Sequence, residues 1–508
     1  MAVTRRLPRA LVAPAITTLL VAVPALAQCP DGTPPPCAAA AAQVHPAPNS
    51  IAVLTFENIT RDSSAQYLAE GLADQIATRL GGVARLTMIS RSVVRRLRNP
   101  QQQSIQQIGR SLNAVYLVNG AIRAASGRFR VNVEAVRAGT GEAVWSEAYD
   151  RASDDLIGLE EAIATEVAAG VAGRLSPQER RALGSRVTAN SRAYELFLRV
   201  NVLLARRTPG ALQGAVAAYR AAAAADSGFA DAYGRLAYAL ALCWNFYCPS
   251  DPDSVLLGLS QQASTRALGL SRRSSDAWMG RAYLLLMESV AAGGAGSDDS
   301  LLASLAAFRR AVELNPRNDE AWHQYGATLS WVNDSASLDG LRHALALDPA
   351  RAITYQDLST TYYLMSRNDR ALATIDSAVA LDPDGPARAM RLLYRLTAGD
   401  TAGAVADARL TPAGWTSPAV LAAFAHDSAA AREMEAKATQ QGCDNVAAMY
   451  LLWTGRREQA VQRLFACGPS IRTRWSLRLQ VFAPLTDDRR IQALRAASDS
   501  ILARARWR

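Results

Sequence analysis

The sequence predicts an α+β protein, with an N-terminal α/β sandwich built on a mixed sheet and then an all-α superhelix of stacked helical pairs. Two observations support this prediction. Residues 51–175 alternate between strand-like and helix-like patterns. Further along, Pro316, Pro349 and Pro383 each follow Leu-Asn or Leu-Asp, and they stand 33 and 34 residues apart. A fixed period in this range is typical of stacked supersecondary units.

Residues 1–27 have the pattern of a secretory signal peptide. Three arginines precede an apolar run over residues 10–26, and Ala-Leu-Ala ends the segment at a small-residue cleavage site. We expect cleavage after Ala27 and a periplasmic or secreted protein that begins at Gln28, with a retained anchor helix as the alternative. Residues 28–50, rich in Cys, Ala and Pro, are predicted to form a linker.

The mature chain is predicted to contain disulfides. Its six cysteines are an even number, which favours disulfides in an exported protein. The local pairing joins Cys29 with Cys37, Cys243 with Cys248, and Cys443 with Cys467. Other pairings stay open. A zinc site is the alternative, but neither Cys-x-x-Cys nor a histidine pair is present.

The sandwich is predicted to occupy residues 51–175. Residues 129–136 alternate in polarity with a period of two, and residues 143–149 return as a partner strand after a Gly-Thr-Gly turn. Further strands are predicted at residues 51–56, 86–89 and 115–122, and helices at residues 67–80, 105–112 and 156–175. This order indicates a mixed sheet with helices packed on it.

The same region resembles the TolB-like N-terminal domain of bacterial proteins. The resemblance includes the motifs Ile51-Ala-Val-Leu-Thr-Phe-Glu-Asn, Tyr67-Leu-Ala-Glu-Gly-Leu, Ile89-Ser-Arg and Thr140-Gly-Glu-Ala-Val-Trp-Ser-Glu-Ala-Tyr-Asp-Arg. In that family the module often precedes helical repeats, which implies a role in assembly or sensing and names no substrate.

Residues 191–412 are predicted to form the repeats and residues 413–508 degenerate helical repeats. Trp322 and Tyr355 stand six residues after the first two prolines. Aromatic, small residues and terminal proline together resemble the tetratricopeptide repeat. Small residues let two helices approach closely, and proline ends the second helix because it cannot donate to the helical ladder. No unit buries its apolar face alone, so neighbours must stack.

The tetratricopeptide resemblance implies a concave groove lined by the first helix of each pair, just beyond the signature aromatic. Seven residues are predicted to contact a partner there: Tyr238, Met279, Tyr283, His323, Gln356, Thr360 and Tyr363. Tyrosine and methionine are adaptable contact residues for a peptide or helix ligand. Packing against the next helix is the alternative for several of them.

The sequence shows none of the catalytic motifs that would predict an enzyme. It contains no Gly-x-Ser-x-Gly motif and no dinucleotide fingerprint after the first strand, and its four histidines are dispersed. We therefore expect no catalytic residue, cofactor or metal site. Basic residues outnumber acidic ones by 55 to 45, but they are not interleaved with aromatics, so we expect no nucleic-acid partner.

The expected function is therefore that of an exported, non-enzymatic scaffold. Its groove would bind a protein or peptide, and the TolB-like domain would dock to an envelope component, giving a peripheral association with the envelope. The alternative is the ligand-sensing half of a bacterial signalling system, in which the α/β domain binds a small molecule or nucleotide.

Overall fold

The structure is a computed structural model that describes most of the chain beyond residue 45. The described residues are 46–60, 66–95, 97, 100–125, 127–152, 154–184, 186–204, 209–245, 248, 253–292, 297–411, 414, 416–440 and 442–504. The chain divides into two compact units, Met1–Pro46 and Ala47–Arg508, and every element given below belongs to the second. The predicted signal peptide and the Cys29–Cys37 pair lie outside the described residues.

A six-stranded mixed sheet forms the first part of this unit. Its strands are β1 (Ser50–Val53), β2 (Glu57–Asn58), β3 (Thr87–Met88), β4 (Tyr116–Ala125), β5 (Arg128–Arg137) and β6 (Ala143–Ala152). The order is β3-β1-β4-β5-β6, and β2 also pairs with β4. Strand β1 runs parallel to β3 and β4, whereas β4, β5 and β6 form an antiparallel meander.

The strand predicted at residues 51–56 ends at Val53, and the short strand β2 follows at Glu57. Val53 pairs with Val118 and Glu57 pairs with Ala121. Between these two pairs the chain is one residue longer on the β1–β2 side than on β4. The extra residue bulges out of the sheet, which bends the chain just after β1. This bend places residues 54–58 beside an open part of the sheet.

Helices cover both faces of the sheet, but unequally. They are α1 (Gln66–Leu80), α2 (Arg91–Arg95), α3 (Ile105–Leu112), α4 (Leu156–Ala172) and α5 (Pro177–Leu183). On one face Ile76 of α1 and Ile163 of α4 are fully buried in one core with Val118. On the other face Val94 of α2 and Ile108 of α3 pack in a smaller cluster around Leu117, so the rest of that face stays open.

The remainder of the chain consists of consecutive helices that pack against one another as hairpins. The pairs are α6 (Ser191–Leu204) with α7 (Pro209–Ala225), α8 (Ala230–Asn245) with α9 (Asp253–Leu270), α10 (Ser275–Ala292) with α11 (Asp298–Leu314), α12 (Asp319–Leu329) with α13 (Asp334–Leu347), α14 (Ala352–Leu364) with α15 (Asn368–Leu381), α16 (Ala387–Thr397) with α17 (Thr401–Leu410), α18 (Ser417–Phe424) with α19 (Ser428–Thr439), and α20 (Asn445–Trp453) with α21 (Arg457–Phe465). The predicted fold class, a mixed sheet followed by a helical array, is confirmed. The predicted domain boundaries stay predictions.

The signature aromatics fix the turns between hairpins. Each donates a hydrogen bond to the backbone carbonyl six residues before it: Trp278 to Arg272 at 2.9 Å, Trp322 to Pro316 at 2.9 Å, and Tyr355 to Pro349 at 3.2 Å. Carbonyls beyond a helix end have no partner within the helix, so these bonds satisfy groups that would otherwise need water. The spacing of six residues in the sequence therefore has a structural cause.

A closing segment, residues 470–485, returns along the array and contacts the turns within three successive hairpins. It contains α22 (Ile471–Ser476) and a 3₁₀ helix (Gln480–Leu485), and α23 (Arg489–Arg504) follows it. The backbone N–H of Ile471 donates to Asp298 Oδ1 at 2.9 Å, at the start of α11. Gln480 Nε2 donates to the carbonyl of Tyr363 at 2.6 Å, at the end of α14. Between these two points Trp475 lies against Trp331, with ring centroids 6.1 Å apart.

Within the described part of the chain, none of the helices combines the length and the apolar character needed to cross a bilayer.

Candidate functional site

The structure buries most of the side chains that the sequence predicts for the groove. They lie on α8, α10, α12 and α14, the first helices of four successive hairpins. Tyr238, Met279 and Tyr363 are 0% exposed, His323 is 2% exposed, and Tyr283 and Thr360 are also buried. Gln356 alone among the seven is partly exposed. Their role in binding a partner stays a prediction, and six of them are buried in this conformation.

Three of the buried groove residues bond to the next hairpin. We call this set of bonds the inter-repeat ladder: His323 Nε2 to Asp357 Oδ2 at 2.8 Å, Thr360 Oγ1 to Tyr394 Oη at 3.0 Å, and Tyr363 Oη to Thr397 Oγ1 at 2.8 Å. Each bond joins residues 34 positions apart, which is the repeat period itself. Buried polar groups need partners, so the ladder fixes the register between neighbouring hairpins.

Two glycines bring α8 and α10 into backbone contact. A Cβ added at Gly280 would stand 2.2 Å from the carbonyl oxygen of Gly234, and one added at Gly234 would meet the backbone of Asp276 at 2.5 Å. Beside this contact the rings of Tyr238 and Tyr283 meet edge to face, with centroids 5.0 Å apart. Sequence analysis missed this close approach, although glycine within two consecutive first helices was a signal for it.

His323 lies in a buried cluster of charges. Its Nδ1 is 3.6 Å from Glu320, and Glu320 also pairs with Arg351 and accepts from the hydroxyl of Tyr238. Burial lowers the pKa of His323, but the hydrogen bonds and negative charges of Asp357 and Glu320 outweigh it and hold the pKa above its ordinary value. Most polar atoms of this cluster bond to one another, although Nδ1 of His323 has no hydrogen-bond partner among the described residues, and its burial supports a structural role.

A second buried acid links the sheet to the array. Glu160 of α4 is 0% exposed, and its Oε2 accepts from the hydroxyl of Tyr194 on α6 at 2.7 Å. The guanidinium of Arg79 on α1 approaches the same oxygen at 3.7 Å. Burial raises the pKa of Glu160 to about 8, despite both neighbours. This carboxyl group therefore holds its proton near neutral pH.

Gln356 is the partly exposed groove residue, and it also has an unpaired hydrogen-bonding atom. It lies on α14 next to Asp357 of the inter-repeat ladder, and its side chain is partly exposed. Its Oε1 has no hydrogen-bond partner among the residues that the structure describes. A buried and unpaired amide oxygen is costly, so any rearrangement that brings it a hydrogen-bond donor is favourable.

Two of the predicted cysteine pairs are disulfide-bonded. Cys243 and Cys248 are joined at the end of α8, and both are buried. Cys443 and Cys467 connect the loop before α20 to the turn after α21. Each bridge closes a short stretch of chain within one hairpin. Among the described residues, no group of three or more His, Cys, Asp or Glu side chains is placed to hold a metal ion.

A cavity of about 720 Å³ lies on the open part of the sheet. Its apolar wall comes from Leu54 after β1, Val94 of α2, and Ile105 and Ile108 of α3. Its polar wall is a line across three strands, where Asn119 of β4 faces Glu134 of β5 and Glu134 faces Ser146 of β6. Cavities of roughly 300–1,000 Å³ with a few convergent polar groups are typical small-molecule sites. Sequence analysis did not identify these residues, because the bulge that opens the cavity has no clear sequence signal.

Part of this chain is similar in sequence to part of a known protein. No family model matches the chain. The curated protein "Putative adenylate cyclase 3" of Rhizobium meliloti (strain 1021) is 29% identical over 235 residues. The match covers 45% of this chain and 40% of that protein, so the chain spans well under half of the relative's length.

Several solved structures similar to the chain are tetratricopeptide repeat (TPR) proteins, and the similarity concerns the fold alone. A thermophilic TPR protein of Thermus thermophilus is 18% identical, with 40% of this chain and 99% of that chain covered and a TM-score of 0.33. YrrB, a TPR protein with an unusual peptide-binding site, is 21% identical, with 41% and 91% covered and a TM-score of 0.24. A tetratricopeptide repeat protein from Parabacteroides merdae ATCC 43184 is 13% identical, with 61% and 100% covered and a TM-score of 0.30.

Proposed function

We propose that the chain is a non-enzymatic protein-interaction scaffold whose helical array binds a protein or peptide. The observation that supports this most strongly is the stack of helical hairpins held in register by the inter-repeat ladder. Such stacks present long, preformed surfaces, and their stability comes from neighbouring repeats rather than from a single core. A rigid surface of this kind binds without the entropy cost of ordering itself first.

The contact with the partner is centred on Gln356. Its side chain is partly exposed, so rotation of the amide presents the unpaired Oε1 to a backbone N–H or side-chain donor of the partner. The six buried groove residues contribute indirectly, because their packing fixes the positions of α8, α10, α12 and α14. Of the seven predicted groove residues, we therefore expect Gln356 to contact the partner directly.

The test is site-specific photo-crosslinking in cells that produce the full-length chain. A photoreactive amino acid replaces Gln356 in one variant and Ser377 in the control, because Ser377 is exposed on the second helix of the same hairpin. We expect a defined adduct at Gln356, no comparable adduct at Ser377, and loss of the adduct when excess wild-type chain competes. Equal labelling at both positions, or no adduct, argues against the scaffold function.

The same proposal includes export and docking to the envelope. The predicted cleavage site and the resemblance to the TolB-like N-terminal domain support both steps. We expect the mature protein isolated from the producing cell to begin at Gln28 and to fractionate with peripheral envelope proteins. Mass spectrometry of the intact protein measures the first point, and an unprocessed amino terminus in a cytoplasmic fraction contradicts it.

A second candidate function, ligand sensing by the α/β region, is favoured by the cavity on the open sheet. Similar sequence also occurs in a protein named as an adenylate cyclase, which associates it with signalling. The test is a thermal-shift screen of the full-length chain against metabolites. A saturable shift that is lost when Ala121→Phe fills the cavity supports ligand sensing, and a shift that survives this substitution argues against it.

A further inference from the structure

The cavity on the open sheet has a polar wall made of hydrogen-bond acceptors. Glu57 lies just after the bulge, and Glu134 lies on β5. Neither carboxylate forms an ion pair with a described residue. Asn119, directly opposite Glu134 in the sheet, has a buried Oδ1 without a hydrogen-bond partner in the described part of the chain. Three acceptors therefore face one space whose described lining includes no positively charged side chain.

The charge of the cavity has one sign. Among its described lining residues there are two glutamates and no lysine or arginine. Charges on the same wall repel an anionic ligand and attract a cation, and the low-dielectric wall opposite strengthens this attraction. Nucleotides and other phosphate compounds fit this lining poorly, because phosphate sites need backbone N–H groups or basic side chains.

The opposite wall is apolar. Leu54, Val94 and Ile108 are each less than a tenth exposed, and the partly buried Ile105 lies beside them. This wall removes apolar surface of a ligand from water, whereas the acceptor wall orients a charged donor. The two walls together fit a molecule with an apolar body and a protonated amine at one end.

We infer that the cavity binds a small organic amine, with its ammonium group between Glu134 and Asn119 and its apolar part against α2 and α3. This inference rests on the second candidate function, ligand sensing, and names the ligand class that the same cavity takes. The ammonium group donates to Glu134 and to Asn119 Oδ1, which gives both acceptors the partner that they lack. The binding is non-covalent and involves no chemical step.

The test is isothermal titration calorimetry of the full-length chain with three probes of similar shape. They are 2-phenylethylamine, which is a cation, 2-phenylethanol, which is neutral, and 3-phenylpropanoate, which is an anion. We expect saturable binding of the amine at least about tenfold tighter than that of the alcohol, since a hydrogen bond to a charged group contributes about that much. The anion is expected not to bind.

Matched variants locate the site. Glu134→Gln keeps the shape of the side chain and removes its charge, and it should weaken amine binding by roughly 10- to 100-fold. Glu147→Gln is the control, because Glu147 pairs with Val133 on the opposite face of the same sheet and should leave binding unchanged. Asn119→Asp adds a negative charge and should tighten amine binding. This gain in affinity tests the proposal even if Glu134→Gln folds poorly.

The outcomes separate this inference from the function on which it rests. If the alcohol binds as tightly as the amine and the Ala121→Phe variant abolishes both, the amine assignment is wrong while ligand sensing stands. If none of the three probes binds, the amine assignment is wrong, and the thermal-shift screen against metabolites decides separately whether ligand sensing stands. If Glu147→Gln weakens binding as much as Glu134→Gln does, the amine does not lie where the structure places it, and the inference is overturned.

Discussion

The close contact between α8 and α10 gives the sharpest prediction on how the array holds together. At Gly280 the structure leaves no room for a side chain, because the added Cβ of alanine would stand 2.2 Å from the carbonyl oxygen of Gly234 and 3.1 Å from the Cβ of Ala237. The obstacle is backbone, which cannot rotate aside. Gly280→Ala should therefore push the two helices apart and destabilise the protein.

The expected magnitude combines two opposed effects. Non-bonded atoms are in optimal contact at roughly 3.5 Å, so the two helices must separate by about 1 Å to accept the methyl group. Overpacking of this kind costs about 1–3 kcal/mol, and we expect the upper end because backbone is struck. Alanine is a better helix former than glycine by about 1 kcal/mol. The net loss for Gly280→Ala should therefore be about 2 kcal/mol.

Gly258 provides the matched control. It also lies within a helix, α9, but an added Cβ there meets no atom within 4 Å. Gly258→Ala should therefore stabilise the protein by about 0.5–1 kcal/mol. The assay is urea unfolding followed by far-UV circular dichroism, with hydrogen exchange to locate the loosened helices. If Gly280→Ala is as stable as Gly258→Ala, the reasoning about close helix packing is refuted.

Three further variants test the buried polar groups, each by urea unfolding. The folded state holds the pKa of His323 above its ordinary value, so protonation of His323 stabilises the fold below about pH 6.5. This stabilisation is lost as the pH rises through the pKa of the folded state. In His323→Gln the stability should not change with pH in this way. Burial raises the pKa of Glu160 to about 8 from 4.5, so stability should fall as the pH rises between these values, and Glu160→Gln should remove this slope. Asp298→Ala leaves the backbone N–H of Ile471 buried without a partner and should cost about 1–3 kcal/mol, whereas the exposed Asp299→Ala should change stability by less than about 0.5 kcal/mol. A flat pH profile in the wild-type chain contradicts the first two predictions, and equal losses in the two aspartate variants contradict the third.

The repeat period made the array predictable from the sequence. Its features are local: the prolines, the aromatics six residues later and the small residues. In the structure they also make local contacts, such as the hydrogen bond from Trp322 to the carbonyl of Pro316. The meander of β4, β5 and β6 was predictable for the same reason, since period-two alternation and a glycine turn specify a hairpin. Local patterns therefore account for the fold class.

Features that depend on distant contacts were not predictable. The predicted groove residues lie on the first helices of the hairpins, but the burial of Tyr238 and Tyr283 depends on how closely α8 and α10 approach, which no single repeat determines. The bond between Asp298 and Ile471 joins residues 173 positions apart, and no pattern in the sequence connects them. The cavity likewise depends on a one-residue bulge beside β1, whereas the sequence there reads as one continuous strand.

Hydrogen exchange of the full-length chain, with and without a partner recovered by crosslinking at Gln356, tests the scaffold function most directly. The account predicts slower exchange of backbone amides in α14 and the adjoining helices of the array, with the sheet unchanged. Slower exchange confined to β1, β4 and β5, or no change in the array at saturating partner, would contradict it.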